Sequence, residues 1–344
     1  MISKDDKIRL NDLFNKTFQK DADIYIKYPY RLNLSAAYVD GLHEPQPSIV
    51  TTIDKYVYIA AAKVNMPGLI IYSKEYNELR QVWYNQPGKG TGWVSYIRGV
   101  ISVLSDHYCL KYGAYITIDN DLPSGLGLGS SAAFLMGIIE TILQINDFQY
   151  TTAQLVYYAY EVEHDFLGIL CGRMDFKAVS KGPGVYFIDN QIDSDIQDKK
   201  IKSDTLPSRI GIIYVSNHVH SLHYSEDRTM FTDILLGIRF TDKCHHFQIT
   251  VPEELREWSI FLMLNNMWTK FAQHFVDDQD MWKQLINTTR IPSIKVPTYF
   301  NFSSECFKTM GSGLKGAVVF FLFDSQEQID IPLDCSMVMT NILK

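Results

Sequence analysis

The stretch DLPSGLGLGSSAAF, residues 121–134, decides what kind of fold this sequence encodes. Three glycines alternate with small and apolar residues, and two serines then open an apolar run. The preceding residues, YGAYITIDN, alternate as in a β-strand, and the following run, AAFLMGIIETILQI, is typical of a buried helix. The sequence therefore predicts a strand, a glycine-rich turn and a helix in direct succession.

A strand, turn and helix of this kind can form an anion site. Glycines let backbone N–H groups approach a phosphate closely, and the first turn of a helix adds unpaired N–H donors and a partial positive charge. Ser130 and Ser131 could then contact phosphate oxygens or a magnesium ion. A flexible turn with a serine cap would give the same pattern without any ligand. The string also lacks the GxxxxGK[ST] pattern of the common NTPases.

Composition limits the class of protein. The 344 residues are enough for two domains of ordinary size, and a net charge of −7 offers no broad basic surface for nucleic acid or an anionic membrane. The five cysteines form no CxxC pair, which argues against a disulfide framework or a zinc site. No apolar run reaches the length of a membrane span, and the charged start MISKDDKIRLNDLF does not resemble a signal peptide. We therefore expect a cytoplasmic protein with no nucleic-acid or membrane partner.

Strand and helix patterns are mixed along the chain, which predicts an α+β fold. Helical spacing occurs in residues 1–20, 93–110 and 151–170, and residues 252–276 predict a helix pair or one long broken helix. Strand patterns occur in residues 56–64, 69–74, 112–123, 184–190, 209–217 and 316–324. The segment QIDSDIQDKKIKSD is the most polar and the least patterned. We place the domain boundary there, with an N-terminal domain of residues 1–190, a polar connector of residues 191–204 and a C-terminal domain of residues 205–344.

The complete glycine string resembles the P-x-G-x-G-L-G-S-S-A phosphate loop of the GHMP kinases, a superfamily that includes galactokinases, homoserine kinases and mevalonate kinases. The matching residues are Pro123, Gly125, Gly127, Leu128, Gly129, Ser130, Ser131 and Ala132. Three further blocks follow the family's order. YRLNLSAAYVD (residues 30–40) is similar to its N-terminal motif, CGRMD (residues 171–175) to the galactokinase CGIMD, and MGSGLKGAVVFFL (residues 310–322) to its last glycine-rich motif. GVYFI (residues 184–188) and TTIDKYVYI (residues 51–59) favour the D-glycero-D-manno-heptose 7-phosphate kinases.

The resemblance implies catalytic roles for two residues. Asp175 would accept the proton of the attacking hydroxyl or orient that hydroxyl, and Arg31 would stabilise charge near the transferring phosphoryl group. The alternatives are a helix-capping aspartate in a turn and a surface arginine on an edge strand.

The resemblance also implies binding roles. Ser131 and Glu163 would bind Mg²⁺, the loop would bind the phosphates of ATP, and Asp40 and Gly172 would contact the substrate. Glu163 could instead be a solvated helix charge, since Glu161 and Asp165 lie beside it. Among the aromatic residues, Trp93 or Tyr96 could flank an adenine, although most of them would pack in the core.

Two blocks depart from the family pattern. SAAYV (residues 35–39) replaces the Gly-Glu-His of galactokinases and the glycine run of the heptose kinases, which predicts an altered substrate pocket. In GSGLKG (residues 311–316), Leu314 and Lys315 interrupt a run that is usually all glycine.

The function implied is transfer of the γ-phosphoryl group of ATP to a hydroxyl, favouring the anomeric hydroxyl of a sugar or sugar phosphate such as a heptose phosphate. The fold implied has an N-terminal domain like ribosomal protein S5 and a ferredoxin-like C-terminal domain, in a monomer or a homodimer. Two alternatives stay open: a kinase of a non-sugar alcohol such as mevalonate or homoserine, and a non-catalytic family member that binds nucleotide or sugar.

Overall fold

A computed structural model describes residues 2–35, 48–86, 88–169, 171–190, 198–201, 209–215, 307–309, 318–321, 335–341 and 343. No helix within these ranges is long and apolar enough to cross a membrane. The chain forms two compact units. The first contains Met1–Tyr30, Lys55–Ser124 and Ser130–Ser180, and the second contains Arg31–Asp54, Gly125–Gly129 and Lys181–Lys344. Because only residues 198–201 of the predicted connector are described, the domain boundary at residues 191–204 stays a prediction.

The first unit holds the helices of the described part of the chain. They are α1 (Lys4–Phe18), α2 (Val94–His107), α3 (Ser130–Ile145), α4 (Thr152–Tyr160) and α5 (Met174–Ser180), and a single π-helical turn (Glu161–Phe166) continues α4. Its strands are β3 (Gly68–Ser73), β4 (Glu78–Trp83) and β5 (Gly113–Asn120), together with parts of β1 (Ile24–Ser35) and β2 (Ser48–Val64), which both run on into the second unit.

The sheet of the first unit places β5 in its centre. It pairs antiparallel with β2, with Val57 opposite Asn120, and parallel with β3, with Leu69 opposite Ala114. The β4 strand pairs antiparallel with β3 and forms the edge. On α1, Leu10 and Phe14 are fully buried in a cluster with residues of β2. The sheet therefore fixes the point at which β5 ends and the glycine loop begins.

Helix α3 is the central helix of the first unit. It contacts α2, α4, α5 and β5, and most of its residues are buried. A helix that is apolar on nearly all sides is stable only inside such a layer of neighbours. The start of α3, where the two serines lie, is therefore held in place by the core of the unit.

The strands that the structure describes in the second unit pair antiparallel. The first residues of β2 pair with β6 (Val185–Ile188), which also pairs with β7 (Lys199–Ile201). In a separate sheet β8 (Arg209–Val215) lies between β11 (Cys335–Asn341) and β10 (Val318–Phe321), and β9 (Phe307–Thr309) pairs with β10. The predicted strands at residues 209–217 and 316–324 are confirmed by β8 and β10.

The predicted helix at residues 151–170 is confirmed only in its first half. Thr151 caps α4 as expected, in a capping box with Gln154. After Tyr160 the backbone changes to the wider π-helical turn, in which the N–H of Leu167 donates to the carbonyl oxygen of Val162 at 3.0 Å. The helix pair or long broken helix predicted at residues 252–276 lies outside the described residues.

Candidate phosphate-binding site

The glycine loop between β5 and α3 has a backbone that alternates in the sign of φ. Gly125, Gly127 and Gly129 have φ values of 84°, 73° and 74°. Leu126 and Leu128 are not among the described non-glycine residues with positive φ, so their φ values are negative. Alternating signs of φ turn successive N–H groups toward one side of the chain, in a concavity that suits an anion. Glycine is the residue that adopts the positive values at little cost.

The leucines of this loop hold it in place. Leu126 is 6% exposed and Leu128 is 1% exposed, so both side chains are almost completely shielded from water. Burying a side chain of this size contributes roughly 1.5–3 kcal/mol. The glycines thus shape the loop while the leucines between them fix it.

Arg31 binds the loop from the other side of its peptide groups. Its backbone N–H donates to the carbonyl oxygen of Leu128 at 2.9 Å, and its guanidinium donates to the carbonyl oxygen of Gly127. Peptide N–H and C=O groups point in opposite directions across a trans bond, and the described residues contain no cis peptide. The N–H groups of Leu128 and Gly129 therefore point away from Arg31, where a ligand can accept from them.

Gly129 is required for a second reason. A Cβ atom at this position would lie 2.7 Å from Cγ of Arg31, closer than real Cβ atoms approach a neighbour. Arg31 is itself 9% exposed and attached to the loop, so its stem has little room to move. Arg31 is therefore not a surface arginine. The role of Arg31 near a transferring phosphoryl group stays a prediction.

The first residues of α3 directly follow the glycine loop. Ser130 and Ala132 are buried, and Ser131 is half-buried. The first turn of α3 carries no acidic residue, whereas that of α1 carries Asp5 and Asp6. The N–H groups and the helix dipole at this end of α3 therefore meet no carboxylate from the first turn of the helix.

Glu163 lies on the π-helical turn and is 5% exposed. The two neighbouring carboxylates differ from it: Glu161 contacts His107 at 3.4 Å, and the exposed Asp165 contacts Nδ1 of His164 at 2.7 Å. The alternative of a solvated helix charge therefore fits Asp165 and does not fit Glu163. π-helical turns of this kind occur frequently at functional sites.

Asp175 lies in the first turn of α5 and is half-buried, and the buried Gly172 precedes this helix. Helix α5 contacts both α3 and α4. The start of α5 is also fixed by Arg173, whose guanidinium lies 4.9 Å from the ring centroid of Tyr160 and 5.5 Å from that of Tyr157. The first unit therefore packs together the helices that carry Ser131 and Asp175.

Asp40 and the GSGLKG block lie outside the described residues, so their predicted roles stay predictions. The two aromatic residues considered for an adenine have different surroundings. The Trp93 ring lies parallel to that of Tyr76, with centroids 6.0 Å apart, and its Nε1 donates to Glu78 at 3.2 Å. Tyr96 instead packs its ring edge-on against Phe134.

One residue beside the loop has no signal in the sequence. Glu75, in the turn between β3 and β4, accepts hydrogen bonds from Asn120 and Ser124 at the two ends of the segment that leads into Gly125. A glutamate in a polar turn looks like any surface charge until the pairing of β3 with β5 is known.

Comparison with protein families agrees with this site. Residues 95–182 match the family described as GHMP kinases N terminal domain. A galactokinase of Pyrococcus furiosus is 33% identical over 173 residues, which are 49% of this chain and 47% of that protein. A galactokinase of Chloroflexus aggregans is 28% identical over 219 residues, which are 62% of this chain and 54% of that protein. The chain spans about half the length of these curated relatives.

Solved structures resemble almost the whole chain. The galactokinase of Lactococcus lactis in complex with galactose has a TM-score of 0.71 at 13% identity and covers 97% of both chains. The mevalonate kinase of Methanococcus jannaschii has a TM-score of 0.64 at 15% identity, over 93% of this chain and 98% of that one. A D-glycero-D-manno-heptose 1-phosphate kinase from Bacteriodes thetaiotaomicron has a TM-score of 0.60 at 17% identity, over 93% and 96%. These structures share the α+β, two-domain fold expected from the sequence. Residues 95–182 are thus similar to the N-terminal domain of the GHMP kinases, and the chain has the same fold as the solved structures named above.

Proposed function

We propose that this protein is an ATP-dependent kinase that transfers a phosphoryl group to a hydroxyl of a sugar or sugar phosphate. The observation that carries the proposal is the loop of alternating φ, which ends at a helix without acidic residues in its first turn. A site of this kind binds phosphate through backbone donors, so it needs no basic surface. That agrees with a chain whose net charge is −7.

In this proposal, one set of residues binds the nucleotide and another set binds the acceptor hydroxyl. On the nucleotide side, the loop and the start of α3 hold the phosphates, and Arg31 fixes the loop while adding positive charge. On the acceptor side, Asp175 orients the attacking hydroxyl or accepts its proton, a contribution of about 10²–10⁴-fold in rate. Asp40 and Gly172 would contact the acceptor.

Ser131 and Glu163 fit a magnesium site. No three His, Cys, Asp or Glu side chains in the described ranges form a metal-binding group. Magnesium, however, is usually held by one or two carboxylates with phosphate oxygens and water, so a buried Glu163 and one serine hydroxyl are a suitable set. When bound with ATP, the ion neutralises charge on the phosphate oxygens.

The acceptor can be narrowed to two sugar classes. The curated relatives named above are galactokinases, which favours a hexose. The GVYFI and TTIDKYVYI blocks favour a heptose phosphate, and one structural neighbour is a heptose 1-phosphate kinase. The SAAYV block, which replaces the Gly-Glu-His of galactokinases, weakens the hexose alternative.

The test is ATP consumption with hexoses, heptoses, their phosphates, mevalonate and homoserine as acceptors. We expect turnover with a sugar or sugar phosphate and none with mevalonate or homoserine. Asp175→Asn is the control, because it should lower sugar-dependent ATP consumption by roughly 10²–10⁴-fold and leave ADP binding intact. Turnover with a non-sugar alcohol alone, or ADP binding without turnover on any acceptor, would contradict the proposal.

A further inference from the structure

The turn between β3 and β4 contains a carboxylate that holds the start of the glycine loop. Oε1 of Glu75 accepts from the backbone N–H of Ser124 at 2.8 Å, and Oε2 accepts from the Ser124 hydroxyl at 2.7 Å. Oε2 also accepts from Nδ2 of Asn120 at 2.6 Å. Asn120 is the last residue of β5, and Ser124 directly precedes Gly125. One side chain therefore connects both ends of the segment that leads into the loop.

The turn that carries Glu75 is itself fixed to β5. The backbone N–H of Lys74 donates to the carbonyl oxygen of Ile118 at 3.0 Å, and the Lys74 ammonium contacts Asp119 at 2.9 Å. Asn77 closes the turn at a φ of 49°, and its N–H donates to the carbonyl oxygen of Lys74 at 3.3 Å. The sheet therefore fixes the position of Glu75, and Glu75 binds Ser124 at the start of the glycine loop.

A carboxylate suits this position better than an amide would. An ionised carboxylate accepts all three hydrogen bonds at once, whereas an amide offers one acceptor oxygen and a donor. Asn120 adds a constraint, because its Oδ1 is buried and has no hydrogen-bond partner among the described residues. The carboxylate of Glu75 therefore fixes which way the Asn120 amide faces.

We propose that Glu75 is a positioning residue for the phosphate loop, which sets the place of Ser124 and thereby the direction of the N–H groups that follow it. This inference rests on the proposed binding of ATP phosphates at residues 125–131, and it concerns nucleotide phosphates only. Loss of Glu75 should therefore weaken binding of ADP without changing the affinity for adenosine, which has no phosphate.

The test compares ADP and adenosine affinities, measured by titration calorimetry, for the parent and for Glu75→Ala and Glu75→Gln. We expect about a ten-fold loss of ADP affinity (~1.4 kcal/mol) in Glu75→Ala. Glu75→Gln should fall between this variant and the parent, because one acceptor remains for the Ser124 N–H. Adenosine affinity should stay the same in all three proteins. Asp106→Asn removes an exposed carboxylate of α2 and should change neither affinity.

Parental ADP affinity in folded Glu75→Ala would overturn the inference, and so would an equal loss of ADP and adenosine affinity, which would indicate a general distortion. If Glu75→Ala does not fold, the same comparison in Glu75→Gln decides. A parent protein that binds no ADP would also overturn it. A parent that binds ADP, loses that affinity in Glu75→Ala and phosphorylates no sugar would support the inference while rejecting the proposed function.

Discussion

Replacing Gly129 by alanine tests whether Arg31 and the glycine loop form one rigid unit. An alanine at a φ of 74° carries a left-handed backbone penalty of roughly 1–2 kcal/mol. Its Cβ would also lie 2.7 Å from Cγ of Arg31, an overpacked contact that costs about 1–3 kcal/mol. Gly129→Ala should therefore cost roughly 2–5 kcal/mol in total.

The chain contains a matched control for the backbone part of this cost. Gly92 has a φ of 62° and stands just before the cap of α2, much as Gly129 stands just before α3. A Cβ at Gly92 would meet no atom within 4 Å. Gly92→Ala should therefore carry only the backbone penalty of roughly 1–2 kcal/mol.

Two measurements follow, thermal unfolding and ADP affinity. Gly92→Ala should lower the melting temperature slightly and leave ADP affinity unchanged. Gly129→Ala should lower the melting temperature further and reduce ADP affinity by at least about ten-fold (~1.4 kcal/mol), because Arg31 can relieve the contact only by leaving the loop. In an Arg31→Ala background the added effect of Gly129→Ala should shrink to that of Gly92→Ala. If Gly129→Ala and Gly92→Ala behave alike in the parent, the reasoning about Arg31 is wrong.

Three further predictions concern the acceptor and metal sides of the site. Asp175→Asn should lower turnover by roughly 10²–10⁴-fold with ADP affinity retained, and near-parental turnover in a stable variant would contradict its catalytic role. Glu163→Gln should raise the Mg²⁺ concentration needed for half-maximal turnover, whereas Glu161→Gln, a change on the same π-helical turn, should not; equal effects in a magnesium titration would point to a general charge effect. Asp40→Ala should raise the KM for the sugar and leave the KM for ATP nearly unchanged, and steady-state kinetics in which both constants rise together would indicate a structural role.

The glycine loop could be predicted from the sequence because its residue types are the direct cause of its shape. Glycines at alternate positions permit the left-handed backbone at Gly125, Gly127 and Gly129, and the apolar run behind them can only be a buried helix. The strand before the loop was predicted from its apolar alternation, whereas its neighbours in the sheet became visible only in the structure. The spacing of the glycines does not reveal which group donates a hydrogen bond to each carbonyl oxygen of the loop. The contact of Arg31 with the carbonyl oxygen of Gly127 became visible only in the structure.

The edge of the sheet was harder to predict. Strand β4 was not predicted because its residues are mostly exposed, and the apolar Leu79 faces water. An edge strand that pairs on one side needs little apolar alternation, so its pattern resembles that of a loop. The π-helical turn after Tyr160 was missed because the same residues satisfy ordinary helical spacing. In that register Glu163 could not be distinguished from its two acidic neighbours.

The proposed binding of phosphate by the glycine loop uses main-chain amides, and amides neither gain nor lose a proton under physiological conditions. Nucleotide binding through this loop should therefore vary little with acidity, apart from the ionisation of the nucleotide itself. Any bell-shaped dependence of turnover on pH would then report on the side chains around the acceptor. If the proposed function holds, the two substrates would be held by chemically different means, one insensitive to protons and the other dependent on them.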